Sequence, residues 1–128
     1  MAPPSGAGDE RARVVGDAAA AAAAAGDPGG VLWKLSEPGR QLDANVVRLG
    51  PGARVAPHVE PDLDVLVLVL GGSGELAGGE APQALGEGSL AWLPHGSHRS
   101  LSAGSEGLTY LTVHRRRPGM TIGRRPPG

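Results

Sequence analysis

The sequence predicts an all-β protein, folded as an antiparallel sandwich or barrel. From residue 31 onward, short β-type runs recur at close spacing, and no helical hydrophobic period separates them. The 22 Gly and 12 Pro make up more than a quarter of the 128 residues, and most of them lie between those runs as turn formers. Eight strands are expected: Val31–Leu35, Leu42–Leu49, Arg54–His58, Leu63–Leu70, Glu75–Ala77, Ser89–Leu93, His98–Ser102 and Leu108–His114.

The predicted core is poor in aromatic side chains. With no Phe, one Tyr and two Trp, it must consist of Val, Leu and Ala, each of which buries less area than an aromatic ring. The run Val65–Leu70 is apolar at every position, so both of its faces should be covered. We expect its three Leu to fill the barrel. Its three Val, or else the early strand Val31–Leu35, should pack against a second copy in a homodimer.

Several classes of protein are excluded by composition. The chain has no Cys, which rules out disulfides, thiolate metal sites and cysteine nucleophiles. No apolar run is long enough to span a bilayer, so no membrane partner is expected. Acidic residues at Asp9, Glu10 and Asp17 interrupt any signal-peptide layout. A cytoplasmic location is the expectation.

Two terminal segments flank the predicted barrel, which covers residues 31–118. Residues 1–30 form a low-complexity leader whose tract Ala18–Ala25 favours a helix but offers no amphipathic face. A flexible or frayed helical leader is therefore expected. Residues 119–128 form a basic, flexible tail. The chain carries −6 up to residue 114 and +5 from Arg115 onward, but the tail lacks aromatics, so no nucleic-acid partner is expected.

Two spaced motifs carry more specific information. Gly52 is followed by five residues and His58-Val59-Glu60, then three residues, Asp64, six residues and Gly71. Gly88 is followed by five residues and Pro94-His95-Gly96, with His98 shortly after. The pair resembles the two conserved motifs of the cupin superfamily. Those motifs are Gly, five residues, His-x-His, three or four residues, Glu, six residues, Gly, and Gly, five residues, Pro-x-Gly, two residues, His.

The resemblance covers roughly residues 45–115 and implies a single cupin-type jelly-roll barrel. The family's usual metal ligands are two His and a Glu from the first motif and the His of the second. By position, His58 matches the first His, Glu60 replaces the second and Asp64 replaces the Glu. His98 approximates the last ligand but arrives one residue early. The implied ligand set is incomplete; it could still hold Fe, Mn, Ni or Zn.

Each of these residues also has an ordinary structural role open to it. His58 suits a partly exposed strand end. Glu60 and Asp64 suit solvated charges, and Asp64 can accept backbone N–H groups in a turn. A one-residue slip along a strand reverses the face of a side chain, so His98 could lie on the outer surface.

Three further side chains complete the candidate site. Trp92 is expected in the core or at the barrel mouth, where it would form a wall of a ligand pocket. His95 should be exposed in its Pro-x-Gly turn. His114 ends the last strand and has a smaller claim to the cavity.

The function that follows is the binding or sensing of a small molecule in the barrel, with no metal assured. Two alternatives remain open: a metal-dependent enzyme of the dioxygenase or isomerase type, and a structural dimer module with an empty barrel. No nucleophile elbow, phosphate loop or dinucleotide fingerprint appears. Whether the chain is an enzyme stays open.

Overall fold

The computed structural model describes residues 11–24, 26 and 29–117. The basic tail, residues 119–128, and the first ten residues of the leader lie outside this part. One helix and seven strands are present in the described chain. They are α1 (Ala18–Ala24), β1 (Gly29–Lys34), β2 (Leu42–Leu49), β3 (Arg54–Val59), β4 (Val65–Ala77), β5 (Gln83–Gly86), β6 (Leu90–Leu93) and β7 (His98–Arg115).

Two long strands, β4 and β7, belong to both layers of an antiparallel jelly roll. The first half of β4 pairs with β6 and with the second half of β7, which continues to β2 and β1. The second half of β4 pairs with β5 and with the first half of β7, which continues to β3. The predicted all-β class is confirmed.

Glycines mark the corners where β4 and β7 pass from one layer to the other. The pairing of the two strands shifts register between Val69 and Gly71 and again between Gly72 and Gly74. Gly72 has φ +80, and a Cβ there would lie 2.1 Å from the carbonyl oxygen of Gly107. Only glycine allows two backbones this close. The segment Gly71–Gly74, expected as a turn, is therefore a bend within one strand.

Strands that bend without ending also explain why the structure has fewer strands than predicted. The sequence Ala103-Gly104-Ser105, also expected as a turn, lies inside β7, so four predicted strands merge into two. One strand, β5, was not predicted because its four residues show no apolar alternation. Seven strands result where eight were expected.

The barrel interior is filled from both layers by Val, Leu, Ala and one Tyr. Val67, Val69 and Leu108 are at most 1% exposed, and Tyr110 is 5% exposed. The Val residues of β4 thus point inward, while Leu66 on the opposite face is 43% exposed. This reverses the expected orientation of the strand. A run that is apolar on both faces does not indicate which face is interior.

The leader packs on the outer face of the first layer. Asp17 caps α1, because its Oδ1 accepts a hydrogen bond of 3.0 Å from the Ala20 backbone N–H. The helix contacts β1, β2, β4 and β7. Beneath this segment Val46 is only 1% exposed, although its neighbour Val47 is the residue that faces the interior. No residue of α1 is buried, so the expectation of a flexible or frayed leader stays a prediction. No helix in the described ranges is long and apolar enough to cross a membrane.

Candidate functional site

A cavity of about 280 Å³ lies inside the barrel between the two layers. Its wall is largely apolar and includes Val55, Leu63, Val65, Val67, Leu93 and Leu101. Its charged and imidazole side chains are His58, Glu60, Arg99, His114 and Arg117. A small cavity that is mostly apolar with a few converging polar groups is the usual form of a ligand site.

Strand alternation places one side of the polar set. Tyr110, Thr112 and His114 occupy every second position of β7 and all line the cavity. Arg117 follows the end of the strand and lines it as well. Because buried Tyr110 sets the inward face of β7, His114 must share it.

The other side of the set comes from β3 and the chain that follows it. His58 lies near the end of β3, and its partner residue in β7 is Arg99. Glu60 comes directly after the strand and is partly buried. The pairing therefore brings the first motif against the start of β7.

Arg99 is the buried cation of the site, only 5% exposed. Its Nη1 donates hydrogen bonds to the Pro94 carbonyl at 3.2 Å and to Ser97 Oγ at 3.1 Å. Its Nε is buried and has no hydrogen-bond partner among the described residues. Such an unsatisfied group on a charged side chain is costly in a folded protein.

Glu60 and Arg117 form an ion pair at the cavity. Arg117 donates from both terminal nitrogens to the two carboxylate oxygens, and the Asp62 backbone N–H donates to Glu60 Oε2 at 2.9 Å. These hydrogen bonds, chiefly the one from Arg117, lower the pKa of Glu60 from 4.5 to about 2. The same pair raises the pKa of Arg117. Glu60 is thus an ionised carboxylate already matched to a cation.

The pH dependence of stability should reveal this pair. Because the pKa of Glu60 is depressed in the folded state, its stabilisation is complete above pH about 4.5 and is lost as pH falls towards 2. Arg117 is partly exposed, so we expect Glu60→Gln to cost only about 1 kcal/mol at pH 7. Urea unfolding of parent and variant from pH 7 to pH 3 should show the difference shrinking.

Glu75→Gln is the matched control, because Glu75 is exposed on β4. This variant should follow the parent at every pH. A Glu60→Gln variant whose destabilisation stays constant from pH 7 to pH 3 would contradict the pair's role.

Both imidazoles of the cavity bond to backbone carbonyls through Nδ1. His58 Nδ1 donates to Ala56 O at 3.1 Å, and His114 Nδ1 donates to Arg115 O at 2.8 Å. A carbonyl only accepts, so Nδ1 carries the proton in each ring. In a neutral ring this leaves Nε2 as the acceptor.

Asp64 points away from the cavity. It is exposed, and its Oδ1 accepts hydrogen bonds from the backbone N–H of His95 at 2.9 Å and from the ring Nδ1 of His95 at 2.7 Å. These contacts lower the pKa of Asp64. A ligand role for Asp64 needs an inward direction, but by strand alternation Asp64 shares the face of Leu66, which is exterior. Asp64 instead accepts a backbone N–H, the alternative left open for it.

Trp92 and His98 lie together outside the cavity. They line a separate groove of about 200 Å³ on the outer surface, which also touches Arg99. Trp92 is 59% exposed, and His98 is exposed too. The wall role expected for Trp92 therefore does not concern the barrel cavity. His95 is exposed as expected.

Comparisons with solved structures identify the architecture. The cupin domain of Cnp3 from Schizosaccharomyces pombe matches with a TM-score of 0.59 and 18% identity, over 65% of this chain and 61% of that one. A sugar phosphate isomerase of the cupin superfamily from Silicibacter pomeroyi matches at 0.57 with 28% identity, over 62% and 53%. A cupin-2 domain from Rhodospirillum rubrum matches at 0.61 with 23% identity, over 70% and 59%. The chain has the cupin fold.

The cupin resemblance predicted from the two motifs is thereby confirmed. The chain spans 53% to 61% of the length of these three structures. No protein-family model matches the sequence, and no curated protein sequence matches it significantly.

The donor set does not fit the metal site of a cupin. Of the four expected ligands, the cavity contains His58 and Glu60 but neither Asp64 nor His98. Glu60 is engaged by Arg117. Within the described ranges, no group of three or more His, Cys, Asp or Glu side chains is arranged to hold a metal ion. The fourth ligand position belongs to an arginine, because Pro94-His95-Gly96 is followed by two residues and then by Arg99, which replaces the motif's His.

Arg99 and Arg117 were not expected in the cavity, and His114 had only a smaller claim to it; simple signals identify Arg99 and His114. Counting the second motif strictly places Arg99, not His98, at the inward position. Alternation from Tyr110 along β7 places His114 in the cavity. Arg117 lies beyond the strand and had no such signal.

Proposed function

We propose that this cupin barrel binds a small molecule in its interior cavity without depending on a metal. The observation that carries the proposal is the replacement of a ligand histidine by Arg99, inside a cavity of about 280 Å³. A guanidinium stays protonated at all accessible pH and has no lone pair to offer a metal. It is, however, a strong hydrogen-bond donor to a ligand.

The metal-dependent enzyme hypothesis has less support. It needs His58, Glu60, Asp64 and His98 at one centre, and two of them face outward. One structural neighbour is described as a sugar phosphate isomerase, but this cavity brings together only two of the four expected metal ligands. Catalysis is not part of the proposal.

The homodimer and the cytoplasmic location stay predictions. The surface for a dimer must differ from the Val65, Val67 and Val69 face, because that face lines the interior. An exposed apolar patch on β4 and β6 is the better candidate. It contains Leu66, Leu90 and Trp92, and Leu66 lies opposite Trp92 in the sheet.

A cavity-filling variant tests the proposed function. Val55 lines the cavity and is only partly exposed, so Val55→Trp should fill it and weaken binding of a cavity ligand at least tenfold. Binding of a fragment library, both charged and neutral, is measured by ligand-observed NMR on the full chain, with and without EDTA. Hits on the parent that disappear on Val55→Trp support the proposal.

Arg54→Trp is the matched control. Arg54 is the preceding residue on β3, is exposed and does not line the cavity. The control should bind every hit as the parent does. If hits bind Val55→Trp and Arg54→Trp equally, or if EDTA abolishes all binding, the proposal is wrong.

A further inference from the structure

The charges around the cavity do not balance. Arg99 and Arg117 contribute two positive charges, and Glu60 contributes one negative charge. Arg117 already holds Glu60 through two hydrogen bonds. The charge of Arg99 also acts on Glu60, but no other Asp or Glu lines the cavity, so its lining carries one net positive charge.

The hydrogen bonds of Arg99 show which edge of its guanidinium group has no hydrogen-bond partner. Its Nη1 is occupied by the carbonyl of Pro94 and by Ser97. Its Nε has no partner in the described part of the chain, and no acceptor there bonds to Nη2. Nε and Nη2 share one edge of the guanidinium plane, so a ligand that reaches this edge meets two adjacent donors. Nε is buried, so the ligand must open this edge to bond to both.

A carboxylate is the group that matches such an edge. Its two oxygens accept two parallel N–H donors from one guanidinium, and this bidentate pairing is stronger than hydrogen bonding between neutral groups. One carboxylate also supplies the single negative charge that the cavity lacks. A phosphate dianion would bring a second charge, for which the lining residues provide no further unpaired arginine.

The remaining cavity wall defines the body of the ligand. Val55, Leu63, Val65 and Val67 present apolar surface. A cavity of about 280 Å³ is near the lower end of the usual range for ligand pockets. The ligand body should therefore be short and apolar.

We propose that the ligand is a small apolar monocarboxylate whose carboxylate is held by Arg99. This inference rests on the proposed function, since it names the class of molecule that occupies the same cavity. Arg99 stands where the family motif has a metal ligand, and the anion takes the place of the metal as its binding partner.

The test uses matched acids and amides as probes. Isovalerate and benzoate are titrated into the full chain and followed by two-dimensional NMR, beside isovaleramide, benzamide and inorganic phosphate. Both acids should shift the resonances of cavity residues such as Leu101 and Thr112. Each should bind at least tenfold more tightly than its amide, and phosphate should bind more weakly than either acid.

Variants of Arg99 assign the recognition to this side chain. Arg99→Gln should weaken isovalerate binding at least tenfold, the range expected for hydrogen bonds to a charged group. Because Arg99 Nη1 also holds the turn at Pro94, circular dichroism must show that the variant folds. Arg99→Lys keeps the positive charge but loses the paired N–H donors of the guanidinium. Its affinity for isovalerate should fall between that of the parent and that of Arg99→Gln. Arg54→Gln removes an exposed arginine charge outside the cavity and should leave binding unchanged.

The outcomes separate this inference from the proposed function. Equal affinity for acid and amide, or tighter binding of phosphate, would overturn the monocarboxylate but leave small-molecule binding standing. Unchanged isovalerate binding in folded Arg99→Gln and Arg99→Lys would overturn the role of Arg99 alone. A ligand of this size should bind with a dissociation constant of about 10 mM or tighter. If neither acid shifts the resonance of a cavity residue at a probe concentration of about 10 mM, the inference fails. The proposed function is then tested independently by the fragment screen on the parent and Val55→Trp.

Discussion

Replacing Gly72 by alanine is expected to lower the free energy of unfolding by about 3 kcal/mol or more. The new Cβ would lie 2.1 Å from the carbonyl oxygen of Gly107, and Gly72 has φ +80. A positive φ costs a residue with a Cβ roughly 1–2 kcal/mol, and relief of the steric overlap adds to that. Because Gly72 and Gly107 sit where β4 and β7 change layers, the substitution forces apart the two strands that hold the barrel together.

Gly71→Ala is the matched control for this prediction. A Cβ at Gly71 would meet nothing within 4 Å, and its φ lies outside the left-handed region. Glycine is unfavourable inside a strand, so this change should be neutral or stabilise by about 0.5 kcal/mol. Urea unfolding measures both variants. Equal stability of the two would show that the corner is not as tight as described.

Replacing Val69 by aspartate is expected to cost about 4 kcal/mol or more, enough to unfold much of the protein. Val69 is 1% exposed within the core cluster and does not line the cavity. No arginine of the cavity can therefore neutralise the new charge at this position. Burying an unpaired carboxylate is among the most destabilising single changes. Circular dichroism and urea unfolding give the measurement.

Leu66→Asp is the control on the opposite face of the same strand. Leu66 is 43% exposed, so the loss measured on the monomer, at low protein concentration, should stay near or below about 1 kcal/mol. If Leu66→Asp were the more damaging variant, the orientation of β4 would be the opposite of the one described. The same variant bears on the predicted homodimer. Light scattering should show a lower molar mass for Leu66→Asp if this patch joins two copies.

The fold was predictable because its signals are local. The short apolar runs and the regularly spaced turn residues between them indicate strands. The motif from Gly52 to Gly71 indicates the architecture. The corners were not predictable in the same way, because Gly72 looks the same in a turn as in a bend of one strand. Only the close approach of Gly107, a contact between distant parts of the chain, distinguishes them.

The site was predictable only in part, for a different reason. His58 and Glu60 line the cavity as the motif implies. The direction of Asp64 depended on which face of β4 is interior, and no local pattern in a doubly apolar strand contains that information. The direction of His98 was predictable, because a strict count of the second motif places Arg99 at the inward position. Arg117 follows the end of β7 and bonds to Glu60. The two residues are far apart in the sequence, and no motif links their positions.

The central position of β7 also has a consequence for how the chain folds. This last described strand pairs with β2, β3 and β4, and its end at Arg115 lies opposite Leu42. Neither layer can close until β7 is available, so partial chains emerging from the ribosome have no complete core. Topologies dominated by such non-local pairing fold in milliseconds to seconds rather than microseconds. Until β7 is in place, the edge of β4 that pairs with it has no partner strand.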